Sequence, residues 1–327
     1  MSDLNPEPSI ETTLAIYHES FTIYPEVDKV FSGLDWLVKR RRFGSFVPSM
    51  LLTGGTGSGK SALIKHYMSE YLSEDEVLLT RVRPTLQETL LWMVNELDVY
   101  KNHRAKGSVL GLIDYVIRCV KQTELKLLVI EECQELFECT RHKERQDIRD
   151  RLKMISDECR LPIVFVGIPS AKLILEDSQW DRRIMVKREL PYIKITDEAS
   201  IDRYLDLLEA MEGAVPLPFD FDFADVEMAM RLLAASHGML GMLKELIAVG
   251  LESALAARKS AIQLEDFILG YEMIFGLDEI NPFSTDINEL VIKQIESYEE
   301  YVPDAETGEL KFVGQIFNAL TIKQLVG

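Results

Sequence analysis

The residues whose types and spacing most directly suggest chemistry run from Gly54 to Ser61, in the order Gly54-Gly55-Thr56-Gly57-Ser58-Gly59-Lys60-Ser61. They satisfy the pattern G-x-x-x-x-G-K-[ST] and lie where it has to lie, after an apolar run and before an alternating apolar pattern. Glycines let the backbone curl its N–H groups around a phosphate chain, and the following helix points its positive end at the same anion. Lys60 can neutralise β- and γ-phosphates, and Ser61 can offer a hydroxyl to Mg2+. With Ala62 in the helix that follows, residues 54–62 form a candidate cradle for ATP and Mg2+.

A second constellation is the apolar run Leu127-Leu-Val-Ile130 ending in Glu131-Glu132. A strand that delivers two carboxylates beside a phosphate loop can order Mg2+ with the first and activate a water with the second. Glu131 is the candidate metal ligand, one methylene longer than the aspartate more usual there, and Glu132 the candidate general base. A later run, Ile163-Val-Phe-Val-Gly167, ends beside Ile168-Pro169-Ser170, where the Ser170 hydroxyl can hold the attacking water or simply stabilise a turn. Arg182 and Arg183 are candidates for an arginine offered to a neighbouring subunit's nucleotide; a basic helix terminus is the competing explanation. Lys244, in Ser236-His-Gly238-Met-Leu-Gly241-Met-Leu-Lys244, is the basic residue nearest the phosphates in the lid, though helix packing explains it nearly as well.

These residues need a scaffold, and the pattern around them supplies one. Apolar strands at 50–53, 77–82, 127–130 and 163–166 alternate with amphipathic helices at 60–72, 86–97, 109–120 and 145–160. Such alternation specifies an α/β, doubly wound parallel sheet with ligands at the carboxyl ends of its strands. Past Arg188 comes a short extended piece, 189–195, and then helices at 199–211, 225–236, 239–257 and 264–275, the pattern of a small helical lid. Four segments are expected: an N-terminal arm with short helices (1–45), the nucleotide-binding domain (46–196), the lid (197–275) and a partly ordered acidic tail (276–327).

Bulk composition narrows the classes. The chain has 327 residues, 47% hydrophobic and 28% charged, with a formal charge of −18, which argues against coating nucleic acid over the whole surface. Cations nevertheless cluster locally, and the negative excess falls in the first 30 residues and beyond residue 196. Lys101, His103, Arg104 and Lys106, with Arg141, Lys143 and Arg145 as second choice, are candidate phosphate contacts for duplex DNA. Cys119, Cys133, Cys139 and Cys159 have no C-x-x-C pairing and read as reduced thiols. No apolar run approaches a membrane span and the first 20 residues lack a signal-peptide core, so a cytoplasmic location is expected.

Taken in order, Tyr24-Pro25, GGTGSGKS, LLVIEE, Leu161-Pro-Ile-Val-Phe-Val-Gly167, Gln179 with Arg182-Arg183, Val215-Pro-Leu217, His237-Gly238-Met-Leu-Gly241 and Asn281-Pro-Phe283 resemble the TniB/TnsC family of AAA+ transposition regulators. The chain departs from that family at Glu131, at Gln134 where His is common, at Ile168, and at Met242 where an Arg can stand. The resemblance implies a P-loop AAA+ fold with a C-terminal helical lid and a slow, regulatory ATPase. It implies a homo-oligomeric ring or filament, hexameric or heptameric, that assembles with ATP around double-stranded DNA without reading its sequence. Such an assembly takes a target-selecting protein of TniQ/TnsD type on one face and recruits transposase subunits for DNA integration through the tail. The location implied is a bacterial cytoplasm, on the nucleoid when active. A DNA-remodelling or loader-type AAA+ motor, and a signalling NTPase that binds protein alone, are the competing readings.

Overall fold

A computed structural model of the chain describes residues 9–43, 46–97, 108–138, 142–303 and 310–326. Helices α1 (Ile10–Glu19) and α2 (Pro25–Arg40) lead in, with Pro25 in the first turn of α2, where a missing N–H costs nothing. Then come β1 (Ser49–Thr53), α3 (Lys60–Tyr71), β2 (Val77–Arg81), α4 (Leu86–Leu97), α5 (Val109–Gln122), β3 (Leu127–Glu131), α6 (Glu135–Glu138), α7 (His142–Cys159), β4 (Ile163–Gly167), α8 (Ser178–Asp181) and β5 (Ile184–Glu189).

The five strands form one parallel sheet in the order β2-β3-β4-β1-β5. Every residue of β1, β3 and β4 is buried, as expected of central strands covered on both faces. Side chains alternate between two cores. Leu51, Leu128, Ile130 and Phe165 pack with α4, α5 and α7 on one face, while Met50, Leu52, Val129, Val164 and Val166 pack with α2 and α3 on the other. Burying each such side chain contributes about 1.5–3 kcal/mol, which fixes the register of the strands and hence the level at which each one ends.

β5 departs from expectation. Residues 184–189 alternate buried and exposed positions, with Lys187 outward, so the basic cluster is the solvent side of an edge strand, and the extended piece after it is a connector.

The lid consists of α9 (Glu198–Glu212), α10 (Val226–Ser236), α11 (Leu240–Ala256) and α12 (Leu264–Phe275) around a core that also takes in Tyr17 of α1 and Phe283. Asn281 turns the chain after the lid: its amide donates to the Ile268 carbonyl at 3.0 Å, its oxygen accepts the Phe283 N–H at 3.0 Å, and Arg231 caps the Pro282 and Thr285 carbonyls.

The segment expected to be a partly ordered tail holds regular structure. β6 (Val291–Ser297) pairs with β9 (Ile316–Thr321), β7 (Glu300–Pro303) with β8 (Leu310–Val313), both antiparallel, and α13 (Ile322–Val326) closes the chain. Gln294, 2% exposed, ties β6 to the backbone of Ile195 through both its amide oxygen and its amide nitrogen. Among the described residues no single helix is long and apolar enough to cross a membrane.

Candidate nucleotide site

Parallel register brings the carboxyl ends of the strands to one edge: Thr53 faces Gly167 and Glu189, and Arg81 faces Glu131. Residues 54–59 leave β1 at that edge, with positive φ at Gly57 and Gly59, and α3 begins at Lys60. The Lys60 ammonium donates to the carbonyls of Gly54 and Gly55 at 2.8 and 2.9 Å, with Ser58 Oγ at 3.5 Å. Burial pulls it below the ordinary lysine value, while the charges of Glu132, Glu299 and Glu131 work the other way. Thr56, Gly57, Ser61 and Ala62 are exposed beside it.

Glu131 ends β3 and is 7% exposed. Its Oε2 lies 3.8 Å from the Arg81 guanidinium, whereas its Oε1 is buried with no hydrogen-bond partner. A buried carboxylate oxygen without a donor is costly unless something positive meets it. With the Ser61 hydroxyl at the start of α3, this donor set fits an oxygen-seeking cation such as Mg2+.

Glu132 leaves the strand at φ 51°, an uncommon conformation for a non-glycine residue. Gln134, itself 7% exposed, donates to Glu132 Oε2 at 2.6 Å and accepts the Ile168 N–H at 3.3 Å. The candidate base is thus tied to the end of β4. Beyond it, Ser170 sits in the 3-10 turn Pro169–Glu176 with a buried Oγ that lacks a partner.

Next to the loop lies an apolar cavity of about 110 Å³. It is lined by Ser58, Gly59 and Ala62 of the loop and α3, by Phe21, Tyr24 and Val27, and by Leu207, Met211 and Leu240 of the lid. An apolar slot beside a phosphate cradle is the place for a planar base. The lid reaches the loop because Gly238 takes φ +77° against Ile193, whose N–H donates to the Gly238 carbonyl at 2.9 Å, and because the Gly241 N–H donates to the Gly57 carbonyl at 2.9 Å.

Lys244 lines this cavity, but its ammonium donates to the carbonyls of His18 and Ser20 at 2.8 and 2.6 Å. It joins the lid to the end of α1, a role that sequence spacing does not reveal.

Arg182 and Arg183 separate clearly. Arg183 forms a two-pronged pair with Asp157 of α7, at 2.6 and 2.9 Å. Arg182 is exposed; its backbone N–H donates to the Ser178 carbonyl, and its guanidinium makes no hydrogen bond or ion pair among the described residues. Both precede β5, whose first residue lies level with Ser49 at the start of β1. The phosphate loop is at the other end of β1, about 13 Å along the strand. Arg182 therefore lies towards the opposite end of β1 from the nucleotide site of its own chain.

Of the candidate DNA contacts, Lys101, His103, Arg104, Lys106 and Arg141 lie outside the described residues, Lys143 lies in α7, and Arg145 of α7 is half-buried. Cys139 is also outside them, while Cys119, Cys133 and Cys159 form no disulfide among the described residues.

A protein-family model described as Bacterial TniB protein matches residues 12–192. The chain belongs to the TniB family. No curated protein matches its sequence. Its fold is similar to that of the ORC2 protein of Aeropyrum pernix in ADPNP–ADP complexes, with a TM-score of 0.58, 14% identity, and 84% of this chain and 75% of that one covered. It is also similar to the Aeropyrum pernix ORC1 protein in complex with DNA (TM-score 0.58, 18% identity, 80% and 69% covered) and to Cdc6p from Pyrobaculum aerophilum (0.56, 13%, 84% and 74%). At these identities the likeness is one of fold: this TniB chain is a P-loop AAA+ α/β domain carrying a helical lid.

Proposed function

We propose that this TniB protein is a slow, regulatory ATPase that uses ATP and Mg2+ to assemble on duplex DNA and to connect a target-selecting protein to a transposase. The observation that carries the ATP-dependent part is the divided site. The loop of residues 54–61, the orphaned Glu131 oxygen and the tethered Glu132 share one edge of the sheet, whereas the unpaired Arg182 guanidinium belongs to the opposite end of β1.

In this reading the Lys60 ammonium and the loop amides bind the phosphates, Glu131 and Ser61 hold Mg2+, and the cavity under Phe21 and Tyr24 takes the base. Mg2+ bound there neutralises phosphate charge. Glu132, oriented by Gln134, takes the proton of the attacking water, and Ser170 helps to position that water. Arg182 of each protomer completes the site of its neighbour, so nucleotide and assembly are linked. Membership of the TniB family, together with the succession of motifs, supports the transposition role, the target selector of TniQ/TnsD type and the transposase partner. The cations at 101–106 and 141–145 serve DNA in this scheme, giving sequence-tolerant, salt-dependent binding.

The test is DNA binding by the full chain as a function of nucleotide. A non-hydrolysable ATP analogue with Mg2+ should promote binding to duplexes of unrelated sequence, and Lys60→Ala should abolish it. Equal DNA binding by Lys60→Ala would refute ATP-gated assembly.

A further inference from the structure

The C-terminal strands end on the phosphate loop, and the contact is made by a charge. Glu299, between β6 and β7, is 4% exposed. Its Oε1 accepts the Thr56 N–H at 2.8 Å and the Thr56 hydroxyl at 2.6 Å, across 243 residues of chain. Its Oε2 accepts from Gln315 Nε2 at 2.7 Å; Gln315 also donates to the Tyr192 hydroxyl at 2.7 Å, and that hydroxyl donates to the Thr56 carbonyl at 2.5 Å. Tyr298 accepts the Tyr192 N–H at 2.9 Å. Gly55 leaves room for both rings: a Cβ there would lie 2.7 Å from each.

This is a polar clasp in which the carboxylate has no ion-pair partner among the described residues. Burial alone would raise the Glu299 carboxyl, but the hydrogen bonds from Thr56 and Gln315 outweigh it and hold it below the usual carboxylate range, so it is ionised at neutral pH. It uses the donors a phosphate oxygen would use, a backbone N–H and a hydroxyl of the phosphate loop, and its charge acts on the same Lys60 ammonium.

We propose that Glu299 is a displaceable stand-in for the terminal phosphate charge, clasping β6–β9 to the loop when it is empty or holds a diphosphate and releasing them when a triphosphate binds. The proposal rests on the ATP site described above. A ligand shifts an equilibrium only by its differential affinity for the two states. A γ-phosphate at the Lys60 ammonium adds negative charge near Glu299 that a diphosphate does not, and this supplies the difference. Release would uncover the half-buried Tyr298 ring and the buried Glu299 carboxylate.

The experiment has two arms on the full chain. In the first, hydrogen exchange is followed in 291–303 and 316–321 with Mg2+ and either ADP or a non-hydrolysable ATP analogue. Faster exchange with the triphosphate alone is expected. In the second, affinities for the two nucleotides are measured in wild type and Glu299→Gln; the variant should tighten the triphosphate about tenfold and the diphosphate less than about twofold. Unchanged exchange with bound triphosphate, or an unchanged affinity ratio in Glu299→Gln, overturns the clasp and leaves the ATP site standing. Failure of the wild type to bind either nucleotide overturns the ATP site itself, and the clasp with it.

Discussion

Gln134 Nε2 donates to Glu132 Oε2 at 2.6 Å while Gln134 Oε1 holds the Ile168 amide at 3.3 Å, so one side chain links the candidate base to the end of β4. Gln134→Leu removes both bonds, frees Glu132 to rotate and leaves the phosphate loop untouched. We expect kcat for ATP to fall about 10–100-fold with KM nearly constant, the range in which general-base positioning operates. Steady-state kinetics check this; a rise in KM at constant kcat would assign Gln134 to binding.

The two neighbouring arginines should separate in the same assay. Arg182→Ala should leave monomer stability unchanged and lower assembly-dependent ATP turnover by about 10³-fold, the scale of a missing trans-acting arginine. Arg183→Ala should instead cost about 1 kcal/mol of stability, since it breaks the half-exposed pair with Asp157. Urea unfolding of both variants beside their turnover distinguishes the two.

Gly238→Ala should damage the lid hinge. The residue sits at φ +77°, and a Cβ would come within 2.2 Å of the Ile193 carbonyl oxygen. Backbone strain with an unrelieved clash predicts a loss of about 3 kcal/mol. Thermal unfolding of this variant beside Gly276→Ala, a positive-φ glycine with open space around it, should show the larger loss at Gly238.

His237 gives stability a pH dependence. Its ring packs 5.3 Å from Phe317, and burial, reinforced by Lys293, lowers its pKa from the ordinary 6.5. Below pH 6.5 the unfolded chain binds the proton more readily than the folded one. The contribution of His237 is therefore fully present above pH 6.5 and is lost as the pH falls towards the lowered value. His237→Gln should flatten the fall of Tm between about pH 7 and 5 relative to wild type; parallel curves would exclude His237 as its source.

Much of the scaffold could be read in the sequence because its signals are local. The phosphate loop sits between a buried strand and a helix, and the lid helices carry apolar stripes that the structure places within about a residue or two of expectation. β5 escaped because Lys187 and Arg188 mask its alternation, and an edge strand needs only half its side chains buried. The strands after residue 290 escaped for a different reason. Gln294 meets Ile195 and Glu299 meets Thr56 across 99 and 243 residues, and no local pattern encodes such pairings. The same holds for Lys244, whose partners are carbonyls of α1. Glu131 was legible as an acid at a strand end, but its orphaned oxygen, the feature that suits it to a cation, exists only in the folded chain.

The most direct measurement is electron microscopy of the purified full chain with duplex DNA, Mg2+ and a non-hydrolysable ATP analogue, beside the same mixture without nucleotide. Rings or filaments encircling DNA are expected with the analogue, absent without it and absent for Lys60→Ala. Monomers indifferent to DNA at saturating analogue, or identical assemblies formed by Lys60→Ala, would contradict ATP-gated assembly.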